Sequence, residues 1–217
     1  SIEKNEKRGY LLQGALIADL ETGDVYYANH PDARWPMASI TKLMTAGRAL
    51  NSIPPTDPIP ITSEVKSRLG DDGGEQLNAG ELYRADDLIH AILTFSSNEA
   101  AEALAEHVGR DVFVEGMRST ASEWGLIVTN FADPTGLSAA NQSTPNDLLI
   151  MTQKLYRMYP SLFTITRAKQ TTLTEETSGE KTVYANINQF AGRNDFIGGK
   201  TGYTDEASGN LISMFSH

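Results

Sequence analysis

Ser39 and Lys42 stand three residues apart in Ser39-Ile40-Thr41-Lys42, and two further runs follow in order, Ser96-Ser97-Asn98 and Lys200-Thr201-Gly202. An amine one helical turn from a hydroxyl can take its proton and turn it into a nucleophile. A second hydroxyl, an amide and a second amine can relay that proton and anchor an anionic group of a substrate. Ser and Lys are common, so S-x-x-K is expected about once by chance in a chain of this size. It recurs here from Ser1 to Lys4, from Ser63 to Lys66 and from Ser178 to Lys181, and Ser208-Gly209-Asn210 repeats the S-x-N pattern. K-T-G occurs once. Only the ordered set, each member in a suitable local structure, carries weight.

Local structure selects among the copies. The runs Gly14 to Asp19 and Val25 to Ala28, around Glu21-Thr22-Gly23-Asp24, predict a hairpin. From Ser39 onward, apolar residues at 40, 43, 44, 46 and 50 mostly follow helical spacing and predict a largely buried helix. Ser39 falls at its start, where unpaired N–H groups and the positive dipole end favour a developing negative charge. A plain helix N-cap is the bland alternative for Ser39. Ser1 opens a polar chain end, Ser63 leads into Gly70-Asp71-Asp72-Gly73-Gly74, and Ser178 lies in a polar hairpin tip, so these three are read as decoys. Ser96-Ser97-Asn98 sits at a junction between two helices, where one serine can cap the second helix. Lys200-Thr201-Gly202 reads as part of a strand that continues, beyond a loop at 205–208, into Leu211 to Phe215. Glycine in a strand often marks close approach by another backbone or a ligand.

Helices are predicted at Ala85 to Leu93, Ala100 to His107, Val112 to Trp124 and Pro145 to Tyr159, with the proline-rich segment from Ile53 to Pro58 as a connector. A second hairpin is predicted over Gln170 to Asn186. The fold class is α+β: a mixed antiparallel sheet, from about 10–38 and 165–217, packed with a helical subdomain at about 39–160, in one domain over 1–217. A formal net charge of −10 argues against nucleic acid, because binding phosphates takes an excess of Lys and Arg. The absence of cysteine excludes disulfides and thiolate chemistry. There is no His/Cys/Asp/Glu cluster with metal spacing, no cofactor is implied, and Asp71-Asp72 reads as a solvated loop. His30, His90, His107 and His217 belong to no triad-like motif and read as surface or core residues. No signal-peptide pattern and no membrane-spanning apolar run is read in these residues.

The motif set and its surroundings resemble the D-alanyl-D-alanine carboxypeptidase family of low-molecular-mass penicillin-binding proteins. The resemblance runs from about Gly14 to the last residue. It rests on Ala38 to Ala46, on Ser96-Ser97-Asn98-Glu99-Ala100-Ala101, on Asp133-Pro134-Thr135-Gly136-Leu137, on Ser143 to Leu148 and on Gly199-Lys200-Thr201-Gly202-Tyr203-Thr204. It implies a serine β-lactamase/DD-peptidase-like fold, with Ser39 as nucleophile and Lys42 as base. Burial and a nearby Lys200 would keep Lys42 partly neutral. By the same resemblance, the N–H groups of Ser39 and Tyr203 hold the oxyanion, Ser96 with Lys200 relays the proton, and Asn98 holds Lys42 and the substrate amide. Lys200 and Thr201, in the Lys200-Thr201-Gly202 strand, bind the terminal carboxylate. The implied partners are a peptidoglycan stem peptide ending in D-Ala-D-Ala and β-lactams as covalent inhibitors. The implied location is the exported, cell-wall side of the membrane.

In the family two more strands and a C-terminal helix follow the K-T-G strand. The expectation is therefore that residues beyond His217, or another chain, complete the sheet. The family's second β domain and amphipathic anchor have no counterpart in these residues, which leaves membrane attachment open. Among functions, DD-carboxypeptidase leads. A DD-endopeptidase would carry the same motifs, and a non-catalytic wall-peptide-binding module is the reading from another class. A class A β-lactamase is disfavoured, because no Glu-x-x-Leu-Asn follows Asn98 and Glu75-Gln76-Leu77-Asn78 precedes it.

Overall fold

The computed structural model describes residues 12–70 and 76–216. The Ser1–Lys4 match, the Asp71-Asp72 run, Glu75 and His217 lie outside them. A hairpin of β1 (Ala15–Ala18) and β2 (Val25–Asn29) comes first, as expected. Its turn is closed by Asp19, whose Oδ1 accepts from the N–H groups of Glu21 and Thr22, both at 2.8 Å. The short strand β3 (Trp35–Pro36) follows, then a 3-10 turn at Ala38–Ile40 and helix α1 (Thr41–Ser52). Residues 53–57 connect α1 to β4 (Pro58–Pro60), which precedes α2 (Ser63–Leu69). Next come β5 (Leu82–Arg84), α3 (Ala85–Thr94), α4 (Asn98–Val108) and α5 (Arg110–Glu123). After β6 (Gln142–Ser143) stand α6 (Pro145–Met158) and α7 (Pro160–Arg167). The chain then forms hairpins of β7 (Gln170–Thr174) with β8 (Lys181–Ala185) and of β9 (Phe196–Thr204) with β10 (Ser208–Phe215).

The class is α+β, and every strand pair among the described residues is antiparallel. Two features differ from the expectation. Residues 208–215 do not prolong the K-T-G strand; they turn back on it as β10, with Leu211 opposite Thr201 and Ile212 opposite Lys200. The turn is held by a bond from Ala207 N to Thr204 Oγ1 and by Trp35 Nε1, which donates to Ala207 O at 2.8 Å. The β1–β2 and β9–β10 hairpins belong to separate two-stranded sheets, with no described strand joining them, in keeping with the expectation that residues beyond His217 or another chain complete the sheet. Finally, α7 was not expected. Tyr159 leaves helical geometry (φ −136°, ψ 63°), and Pro160, with φ preset for a first helical position, starts a new helix.

Helix α1 is the core of the molecule. Its residues from Thr41 to Gly47 are all buried, so it is enclosed rather than amphipathic. Leu88, Ile89 and Ile92 of α3, Leu104 of α4, Phe113 and Met117 of α5, and Met151 and Leu155 of α6 are buried in the same cluster. Each fully buried side chain of this kind contributes roughly 1.5–3 kcal/mol. The helical cluster thereby clamps the start of α1, where Ser39 and Lys42 lie.

Glycine is required where the segment between α5 and β6 meets that start. Gly136 has φ +88°, and a Cβ there would lie 2.0 Å from Ala38 O. Gly125 also has positive φ (+77°) but nothing within 4 Å. Gly125→Ala should therefore cost about 1 kcal/mol, from backbone strain alone. Gly136→Ala should cost at least ~3 kcal/mol, because backbone rather than a flexible side chain must yield. Urea unfolding of both variants checks this; equal losses would mean that the Gly136–Ala38 contact is not a constraint.

Candidate active site

The nucleophile candidate sits on a strained turn. Met37 N donates to Asn141 O (2.9 Å), and Ile40 N to Met37 O (3.1 Å), closing the turn around Ser39. Ala38 has φ +46°, in the left-handed region that a residue with a Cβ enters only at a cost of about 1–2 kcal/mol. From the other side comes β9: a Cβ on Gly202 would lie 2.8 Å from Ser39 N and 3.1 Å from Ile40 N. The glycine of K-T-G is thus needed for backbone to meet backbone, and it brings the Gly202 backbone alongside the Ser39 peptide.

Lys42 is fully buried one turn into the helix. Its Nζ donates to Ser39 Oγ at 2.8 Å, to Asn98 Oδ1 at 2.7 Å and to the Thr135 carbonyl at 2.7 Å. Three acceptors match the three donors of an ammonium. Burial nevertheless pulls its pKa down from the usual lysine value to about 7, against the opposing pull of Asp133, Glu99 and Glu102. Near neutral pH the amine is therefore free of its extra proton much of the time, in contact with a hydroxyl that it can deprotonate.

Ser96 and Ser97 divide the two roles open to them. Ser97 is the N-cap of α4, accepting from Ala100 N at 3.2 Å. Ser96, at φ +65°, is held out of both flanking helices, and its Oγ accepts from Lys200 Nζ at 2.9 Å. Asn98 opens α4 and reaches Lys42. Lys200 is buried on β9 and also donates to Thr201 O at 2.7 Å; burial, and then repulsion from Lys42, push it well below the ordinary lysine pKa. Thr201 is half-buried on the same strand. Tyr203 projects outward, its hydroxyl donating to Asp205 Oδ1 at 3.2 Å. Ser39 and Asn98 are thus joined through Lys42, and Ser96 is joined to Lys200, with Gly202 packed against the Ser39 turn.

The decoys are occupied elsewhere. Thr62, not Ser63, caps α2, and Lys66 turns to Glu99. Ser178 N and Oγ both donate to Glu175 Oε2 in the β7–β8 turn. His90 meets Thr171 Oγ1 at 3.2 Å and His107 meets Asp57 at 3.3 Å, away from the Ser39 network. Among the described residues no group of three or more His, Cys, Asp or Glu is placed to hold a metal, and no helix is long and apolar enough to cross a membrane.

This geometry coincides with a family match. The family model described as D-alanyl-D-alanine carboxypeptidase matches residues 9–216. The chain belongs to that family. It is 37% identical over 209 residues to a D-alanyl-D-alanine endopeptidase of Escherichia coli, covering 91% of this chain and 65% of that protein. It is 32% identical over 218 residues to a D-alanyl-D-alanine carboxypeptidase of Haemophilus influenzae, covering 93% of this chain and 52% of the relative. The chain therefore spans less than two thirds of the length of these relatives. Among solved structures, the D-alanyl-D-alanine carboxypeptidase of Mycobacterium tuberculosis superposes with a TM-score of 0.85 at 25% identity, over 94% of this chain and 78% of that one. The Streptomyces K15 DD-transpeptidase superposes with a TM-score of 0.84 at 24% identity, over 94% of this chain and 84% of that one, and that likeness bears on the fold.

Sequence reasoning named Asp133 as part of the Asp133-to-Leu137 run but gave it no role. Its Oδ1 accepts from Thr135 N, Thr135 Oγ1 and Gly136 N, each at 2.7 Å. Its Oδ2 accepts from Ser138 N at 2.9 Å and Asn141 Nδ2 at 2.6 Å. Burial favours protonation of this carboxyl, but the bonds from Thr135, Ser138 and Gly136 outweigh it and hold the pKa below the usual carboxylate value. Asp133 thereby folds the segment that delivers the Thr135 carbonyl to Lys42. An Asp followed by Thr and Gly at the second and third positions is an Asx-turn signal that could have found it. In protein labelled with ¹³C and ¹⁵N at lysine, one side chain should titrate with a midpoint near pH 7, and Lys42→Met should remove that transition. A Lys42 midpoint above about 9 would refute the picture of a desolvated amine.

Proposed function

We propose that this protein is a serine DD-peptidase that cleaves D-alanyl peptide bonds of peptidoglycan stem peptides through an acyl-enzyme on Ser39. The observation that carries the proposal is the 2.8 Å contact between Lys42 Nζ and Ser39 Oγ. It is combined with a Lys42 pKa of about 7. Neutral Lys42 takes the Ser39 proton as Oγ attacks the carbonyl carbon of the penultimate D-alanine. The oxyanion forms beside the N–H groups of Ser39 and Tyr203; preorganised donors of this kind are worth roughly 3–4 kcal/mol each. Collapse of the intermediate breaks the C–N bond. The departing amine takes a proton from Ser96, which recovers one from Lys200 at 2.9 Å. Asn98 holds Lys42 and the substrate amide. Lys200 and Thr201 receive the terminal carboxylate, the positive charge lying behind and the hydroxyl in front. Before deacylation Lys42 gives up the Ser39 proton to solvent and Lys200 regains one from it. Neutral Lys42 then takes a proton from the water that attacks the ester carbonyl and passes it to Ser39 Oγ as the acyl group leaves. The strained amide and adjacent carboxylate of a penicillin mimic the D-Ala-D-Ala end, so it acylates the same serine. Such a substrate places the enzyme on the cell-wall side of the membrane, which implies export.

Removal of the terminal D-alanine is the reading favoured by the motif strand, because a free carboxylate suits Lys200 and Thr201. Cleavage of cross-links is the second reading, and it has a specific observation in its favour. Relatives named endopeptidase are 37%, 33% and 32% identical to this chain. Those named carboxypeptidase run from 32% down to 28%.

Intact mass after incubation with benzylpenicillin should show one adduct on the wild type and none on Ser39→Ala. A wild type that is folded, forms no adduct and leaves penicillin unhydrolysed would sink the nucleophile assignment and favour a wall-peptide-binding module. Incubation with a monomeric pentapeptide and with a D-alanyl cross-linked dimer then separates the two readings. Free D-alanine marks carboxypeptidase action, and conversion of dimer to monomer marks endopeptidase action.

A further inference from the structure

Glu99 is a buried carboxylate directly behind the candidate site, with 0% exposure of its side chain. Three stretches of chain meet on it. Oε1 accepts from Lys66 Nζ of α2 at 3.1 Å and from Gln76 N at 3.1 Å, and Oε2 accepts from Ser97 Oγ at 2.9 Å. Lys66 Nζ also donates to Leu77 O at 3.1 Å, so the 76–77 segment is tied to both members of the ion pair. On the other side of the same turn, Asn98 Oδ1 contacts Lys42 and Ser96 Oγ contacts Lys200. Ser96 holds a left-handed backbone conformation (φ +65°), which persists only where the surroundings over-determine it.

We propose that Glu99, clamped by Lys66, is a positioning residue for the acyl-transfer site: it locks the Ser96–Asn98 turn from behind, so that Asn98 and Ser96 meet their two lysines. The proposal rests on the reading of Ser39 and Lys42 as nucleophile and base. It also gives Lys66 an electrostatic duty. The groups that face Lys42 are Asp133 from the segment before β6, Glu99 and Glu102 from α4, and Lys200 from β9. Glu102 is already paired with Arg110, at 2.7 and 3.1 Å. Lys66 does the same for Glu99. An unneutralised carboxylate at residue 99 would favour the proton on Lys42 and lower its share of free base at neutral pH.

The test is the pH dependence of acylation by a fluorescent penicillin, measured on the whole chain for wild type, Lys66→Met, Glu99→Gln and Glu99→Asp. Thermal melts confirm folding, and rates are normalised to acylatable protein. Lys66→Met should move the midpoint of the rate profile alkaline by roughly 0.5–1 pH unit, and Glu99→Gln should move it acid by a similar amount. Glu99→Gln and Glu99→Asp should each lower the plateau rate about tenfold, Glu99→Asp with little change of midpoint, because it keeps the charge and shortens the reach. A purely structural role would reduce the folded fraction and leave the midpoint of the remaining protein in place. Midpoints within 0.2 unit of wild type and plateaus within twofold would overturn the proposal; these cut-offs are about the resolution such profiles allow. If Lys66→Met does not fold, the nearly isosteric Glu99→Gln decides on the same criteria. Absence of acylation in the wild type itself would mark failure of the underlying reading, and the proposal would fall with it.

Discussion

Keeping an amine dry beside a serine hydroxyl is the constraint around which this fold is arranged. Removing a cation from water costs several kcal/mol even after relaxation, and a hydrogen bond to a charged group returns roughly 1.5–3 kcal/mol. Lys42 has three such acceptors, supplied by Ser39, Asn98 and Thr135, which lie far apart in sequence. The balance leaves its pKa near 7, between a permanent cation and a permanently neutral amine. Each acceptor has its own support: the 3-10 turn for Ser39, the Ser97 cap for Asn98, and the Asp133 carboxylate for Thr135. Losing any support would leave a buried donor unpaired, which costs more than the bond itself was worth.

The same demand explains why the residues around Ser39 are small and their backbones strained. Gly136 approaches the Ala38 carbonyl and Gly202 approaches the Ser39 amide, leaving no room for a Cβ at either. Ala38 and Ser96, both at positive φ, flank the two lysine contacts. Strain of this kind persists only when packing over-determines it, and α1, buried on all sides from Thr41 to Gly47, supplies the packing. Stability drawn from the helical core is thus spent at the turn that presents Ser39. Proteins built this way gain stability readily elsewhere and lose function when that turn is relaxed.

What the sequence reveals is local, and what it hides is long-range. Helices α3, α5 and α6 lie within two residues of where apolar periodicity and capping signals place them. The Thr144 cap with Pro145 behind it marks the start of α6 without ambiguity. The i, i+3 geometry of Ser39 and Lys42 and the cap at the Ser96–Asn98 junction are equally local. The pairs β3–β6 and β4–β5 are not, because strands of two or three residues carry no alternation to detect. Nor is the reversal at 205–208, where the hairpin depends on Trp35 holding the Ala207 carbonyl from 172 residues away. Glu99 and Asp133 carry ordinary surface-residue identities; only the fold buries them and gives each its partners.

The two lysines differ in what surrounds them, and that difference orders their chemistry. Carboxylates of Asp133, Glu99 and Glu102 draw the proton back toward Lys42 against the burial that expels it. Lys200 has no such help: burial and the neighbouring Lys42 both push its proton away, and its own partners are a hydroxyl and a carbonyl. A substrate carboxylate arriving beside Thr201 would supply the counter-charge that Lys200 lacks. On the proposed reading, the ligand itself then completes the electrostatics, raising the proton affinity of Lys200 when a donor to the leaving amine is needed. Lys42, poised by the protein alone, is ready before the substrate binds. Base and acid are thus separated not by residue type, since both are lysines, but by whether protein or substrate provides the opposing charge.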